Sequence, residues 1–119
     1  MAANAHQAAR IMAAGRVLIG ATMLAAPDLV AAPWVGEDAR TPGARVIVRA
    51  LGARDAVLGA GTLAAGDRAE VRRWLIASSA SDAADFVATL AGPRSPARAA
   101  VLAVAAAATV TGLAAAASV

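Results

Sequence analysis

The sequence predicts an all-α fold: an integral membrane four-helix bundle of two antiparallel hairpins with a long first loop. Three observations predict it. Hydrophobic residues make up 60% of the 119 residues and charged ones only 16%, against about 45–50% and about 25% in soluble domains. Four apolar segments, at about 8–26, 42–65, 69–91 and 96–118, are divided by Pro, Gly and charge clusters of the kind that end helices. Each has about 20 residues, which at about 1.5 Å per residue spans a hydrocarbon core of about 30 Å.

Segment one holds Arg16 near its middle, then the run Val17, Leu18, Ile19 and, one turn on, Met23 and Leu24, and it stops at Pro27. A signal peptide competes, since a short apolar core follows positive charge. Against it, Arg16 abuts the apolar core, and the rest of the chain has the same membrane character. The first loop is acidic, with Asp28, Glu37 and Asp38, and its stretch 29–34 is apolar enough to lie along an interface. Segment two opens with Thr41 as N-cap and Pro42 in the first helical position. Gly66 and Asp67 turn the chain into segment three, which Gly92 and Pro93 close. Segment four repeats the start signal with Ser95 and Pro96, and 99–119 carries no charge.

A central Arg costs a lone helix about 2.5–3.5 kcal/mol on insertion scales. A soluble Ala-rich bundle, however, would need a charged stripe on every helix, and segment four has none. Trp34, beyond segment one, and Trp74, in the first turns of segment three, read as interface anchors. Arg10, Arg68, Arg72 and Arg73 at one side balance Arg40, Arg45, Arg94 and Arg98 at the other. A cell-membrane, multi-pass chain with both termini cytoplasmic is favoured because Arg16 adds to the terminal side; dual insertion is the alternative.

Composition excludes much chemistry. There is no Cys and one His, and no phosphate loop, HExxH or GxSxG motif is present. No cofactor, metal or catalytic residue is expected. All eleven basic residues are Arg and they are scattered, so nucleic acid is not an expected partner.

Six charges fall at membrane depth: Arg16, Arg49, Arg54, Asp55, Asp82 and Asp85. Taking segments two and three as a hairpin about Gly66, Arg49 lies level with Ala83 and within a turn of Asp82 and Asp85, while Arg54 lies level with Ser78. Trp74, Ser78, Ser81, Asp82, Asp85 and Thr89 form one polar stripe. Gly52 and Gly59 lie on a small-residue face that admits another helix closely. Arg16 is within reach of Asp55. Three charges of each sign predict a closed network that fixes helix register. A polar cavity for a ligand, or docking of a protein partner through one charge, are the alternatives. Asp82 and Asp85, at i and i+3, have the spacing for a cation or proton, but facing Arg they read as counter-ions.

The stretches RVLIGATMLAAPDLVAAPW at 16–34, RALGARDAVLGAGTLAA at 49–65 and WLIASSASDAADFVATLAG at 74–92 resemble a family of small actinobacterial four-span membrane proteins of unknown function. The resemblance covers most of the first three segments. It implies a four-helix membrane protein with Arg49, Arg54, Asp55, Asp82 and Asp85 as a unit, and it implies no activity. In size and span count the chain is also similar to small multidrug exporters and fluoride channels, both dual-topology dimers. The exporters depend on a carboxylate in the first helix, where this chain has Arg16.

The expectation is a non-catalytic scaffold or accessory subunit with a buried Arg/Asp network, embedded in the bilayer and homo-oligomeric or part of a larger membrane complex. The alternative is a small transporter or channel for an anion or lipid headgroup. A lipid-acting enzyme would need a lateral groove exposing an Asp.

Overall fold

A computed structural model gives the architecture and describes residues 2–119. The described residues are helical and contain no strand: α1 (Ala2–Ala25), α2 (Pro27–Val35), α3 (Pro42–Ala64), α4 (Arg68–Ala91) and α5 (Arg98–Ser118), with a 3-10 turn at Glu37–Arg40. The molecule measures 43 × 24 × 16 Å. Two helices, over Ala3–Ala25 and Arg98–Ser118, are long and apolar enough to cross a membrane, with mean hydropathies of 1.4 and 2.0. Only 22% of each apolar window is buried, so their apolar surface faces outward.

Helix α1 starts well before the expected residue 8 because Ala-rich sequence with no breaker propagates a helix readily. It stops at Ala25, ahead of Pro27. The first loop is largely helical: Pro27 opens α2, and Gly36, at φ 92, closes it by donating its N–H to Ala32 O. Thr41 caps α3 as expected, accepting from Ala44 N at 3.3 Å. Asp67 accepts from Glu70 N at 2.8 Å while Glu70 accepts from Gly66 N at 2.8 Å, a reciprocal cap that starts α4.

The start expected for the fourth segment is corrected. Helix α5 begins at Arg98, and its N-cap, Ala97, makes no side-chain cap bond. The Ser95 hydroxyl instead donates to Trp34 O, and Ala97 N donates to Pro33 O at 3.0 Å. The last carbonyls of α2 have no intrahelical donors, and this turn supplies them.

The close helix pairs are α1 with α3 and α4 with α5, both antiparallel. A Cβ on Gly20 would stand 2.5 Å from Gly52 O and 2.6 Å from Ala56 N, and one on Gly59 would stand 2.5 Å from Ala13 O. The α1 and α3 backbones therefore touch, and they do so at a seven-residue spacing on both helices. Gly112 clears room for Ser79 on the other pair.

Two small apolar cores sit at opposite ends. Ala9, Val71, Leu75, Ala115 and Ala116 form one near the chain termini; Met23, Ala31, Ala39 and Val48 form the other beneath α2. The middle between them is polar.

Glycine packing generates a contrast. Gly20→Ala and Gly59→Ala each lower unfolding stability in detergent by about 1–3 kcal/mol through overpacking. Gly15→Ala, where a Cβ would meet nothing within 4 Å, raises it by up to about 1 kcal/mol through helix propensity. Equal effects at the three sites would contradict the contact.

Outside the long helices, Asp28 accepts from Arg45 Nε at 2.9 Å and Nη2 at 2.7 Å, and Arg40 stands 3.7 Å away. The hydrogen bond from Arg45 holds the Asp28 carboxyl below its ordinary 3.8. A depressed carboxylate stabilises the fold above its unfolded pKa, and that contribution is lost as pH falls through the folded value. Melting temperature followed below about pH 4 should therefore fall more in the native chain than in Asp28→Asn.

Candidate functional site: a five-residue arginine–aspartate network

Between the two cores, Arg16 of α1 donates from Nη1 to Asp55 Oδ1 of α3 at 3.0 Å, and from Nη2 to both carboxylate oxygens of Asp82 of α4. Asp55 Oδ1 also accepts from Arg54 Nε at 3.3 Å and Nη2 at 3.1 Å. Arg54 then grips Asp85 of α4 with Nη1 at 3.1 Å and Nη2 at 2.8 Å. The chain Asp82, Arg16, Asp55, Arg54, Asp85 ties three helices together. Side chains at its Asp82 end are the more enclosed, Arg16 being 12% exposed and Arg54 31%.

The expected partner of Arg49 is corrected. Arg49 is exposed and donates from Nε to Leu24 O at 3.2 Å, capping the C-terminus of α1. The cause is the lean of helical side chains toward their own N-terminus. On α3 that lean carries an Arg away from the Gly66 turn, and on α4 it brings an Asp toward it. Partners are therefore offset from equal depth, and Arg54, not Arg49, meets Asp85. Without Arg49, three carboxylates face two guanidiniums, and the network has a formal charge of −1. The expected balance of signs does not hold.

The remaining residues singled out in the sequence separate into groups. Ser78 is buried and lines a cavity with Asp82; Ser81 has a buried hydroxyl without a partner and lies outside that cavity. Gly52 and Gly59 meet α1. Trp74 packs on Gly61. Trp34 turns inward: its indole N–H donates to Thr89 Oγ1 at 2.8 Å, because the α2 helix lays it against α4.

The roles of Gly20, Ser79 and Arg98 are not legible in the sequence. Gly20 stands seven residues after Ala13, matching the Gly52 to Gly59 spacing. Arg98 donates to Thr89 O at 3.3 Å and Leu90 O at 2.7 Å, capping α4. Ser79, 2% exposed, leaves its hydroxyl unpartnered.

A cavity of about 240 Å³ reaches the enclosed end of the network, lined among others by Arg16, Asp55, Thr62, Ser78, Ser79 and Asp82. Its lining also takes in the exposed Ile19 of α1 and Val104 of α5, so it opens between those helices. A second cavity, of about 310 Å³, lies between α2, α3 and α4 and reaches Asp85 from the other end.

Comparison with protein-family models, curated proteins and solved structures finds no match to the chain.

Arg54→Gln strips Asp85 of its partner and should lower stability in detergent by about 2 kcal/mol or more. Arg49→Gln removes one exposed hydrogen bond to a carbonyl and should cost no more than about 1 kcal/mol. Thermal unfolding of both variants checks the order; the reverse order contradicts the pairing.

Proposed function

We propose that the chain is a four-span membrane protein, non-catalytic, that acts as a scaffold or accessory subunit through a rigid bundle locked by its Arg/Asp network. The network is the observation that carries this reading. Arg16 and Arg54 each engage two carboxylates, so both guanidiniums are occupied by the protein's own side chains. Closed pairing of this kind sets register and leaves the outer surface for contacts with lipid or a partner.

The four-span reading has further support. Large apolar side chains stand exposed on all four long helices, among them Leu18, Ile47, Val87 and Val110. Helices α3 and α4 carry more charge, but Arg54, Asp55, Asp82 and Asp85 turn theirs inward, which is how ionisable groups are accommodated at membrane depth. The long axis of 43 Å is about that of a bilayer with its headgroups, about 40–45 Å. His6, the turn at Gly66 and Val119 line one common cavity, so both termini share an end with that turn. We place that end in the cytoplasm. Membership of the small actinobacterial four-span family belongs to the same proposal.

A second reading, a small transporter or channel, rests on the cavity that reaches Arg16. The network's negative charge disfavours an anion or anionic lipid headgroup there, because either would compete with carboxylates already bound and meet a surplus of like charge. The scaffold reading therefore stands first. In it the chain self-associates with its subunits in one orientation or joins a larger membrane complex, and the dual-topology dimer belongs to the transporter reading.

With no native Cys, single-cysteine labelling in vesicles tests the spans. Asp38→Cys and Arg94→Cys should react from one side, and Asn4→Cys and Arg68→Cys from the other. All four labelled from one side contradicts four spans. Native mass measurement in nanodiscs tests the role: a stoichiometric partner protein or a defined homo-oligomer agrees with a scaffold, and a lone monomer contradicts it.

A further inference from the structure

We propose that the network holds one exchangeable proton, bound on Asp82 where it faces the cavity between α1 and α5. Five charged groups meet in the middle of the bundle, three carboxylates and two guanidiniums. Guanidiniums keep their protons in proteins, so the surplus is one negative charge. At membrane depth an uncompensated charge is expensive, and a group so placed neutralises instead. No residue supplies the missing cation. Asp82 faces Arg16 from α1, Asp55 from α3 and Asp85 from its own helix, and α5 has no charged side chain after Arg98. Arg49, the nearest candidate by sequence, is turned to Leu24 O.

Ser79 independently marks the place. It is 2% exposed, its hydroxyl has no partner, and it lines the same cavity as Asp82, one turn away on α4. Buried hydroxyls are ordinarily satisfied. Water in that cavity can satisfy the hydroxyl and carry a proton between it and Asp82. A metal cation fits less well, because hard cations take about six oxygen ligands. Both oxygens of Asp82 already accept from Arg16, and among the described residues no group of three His, Cys, Asp or Glu could hold a metal. The cavity, at about 240 Å³, far exceeds the about 10–15 Å³ that one water needs. A hydronium ion can therefore deliver the proton, forming the O–H bond on Asp82 and leaving water, with no electron transferred.

The inference rests on the membrane-embedded reading, whose own failure shows separately in the cysteine labelling. The test is infrared spectroscopy of the intact protein in nanodiscs at neutral pH, in sodium-containing and sodium-free buffer. One protonated-carboxyl C=O band is expected in both buffers; it shifts on exchange into D₂O and is absent from Asp82→Asn. In Ser79→Ala the band moves, because the hydroxyl that anchors water in the acid's cavity is gone. That variant removes only an unpartnered group, so it keeps the fold even should Asp82→Asn not. Absence of the band in both buffers overturns the proposal, and so does its appearance only without sodium, since an alkali ion then holds the site. A band unmoved by Ser79→Ala, or present in Asp82→Asn, overturns the placement.

Discussion

One guanidinium, that of Arg16, reaches carboxylates on two other helices, and the arrangement of the bundle depends on it. The contact between α1 and α3 is a strip of Gly and Ala in which backbones touch. Such a strip packs tightly, and Gly20, Gly52 and Gly59 mark the places where the facing backbone fits. The apolar cores are small and lie at the two ends. Across the middle, the ion pairs add a second constraint on that register and carry it to α4. Asp55 strengthens the lock by accepting from Arg16 and from its own neighbour Arg54 at the same oxygen. Removing Arg16 leaves Asp82 without a guanidinium, and removing Arg54 does the same to Asp85, which makes the lock costly to break at either Arg.

Arginine has a second use in this molecule, at helix ends. Arg49 caps α1 and Arg98 caps α4, each by donating to carbonyls with no intrahelical donor. Arg45 closes a fork on Asp28 at the base of α2. A planar, permanently charged donor with several N–H groups suits all of these places, and an ammonium would fill them less well. The abundance of Arg thus has structural employment.

The sequence made the helices legible because their stops are chemical. Pro27, Thr41 with Pro42, and Gly92 with Pro93 bound elements whatever the tertiary context, and Arg16 with Asp55 was within simple reach. The first loop hid α2, since nine residues with two prolines give too short a window for periodicity. Ser95 looked like a cap because the dipeptide before a helix is the same whether the hydroxyl serves its own helix or a neighbour's last carbonyl. Equal Cα depth mispairs Arg49 because it ignores the lean of long side chains. Ser79 is silent in the sequence for a different reason: its significance comes from Gly112 on α5 and from an absent partner, both of which are tertiary facts.

A lock with one negative charge too many joins the two parts of the account, the scaffold and the proton site. The register lock is its central claim, and a double-mutant cycle between Arg16 and Asp82 in lipid nanodiscs tests it most directly. Unfolding free energies of Arg16→Gln, Asp82→Asn and the double variant should give a coupling of about 1 kcal/mol or more. Additive losses, with coupling indistinguishable from zero, would mean that the two side chains do not hold the helices in register.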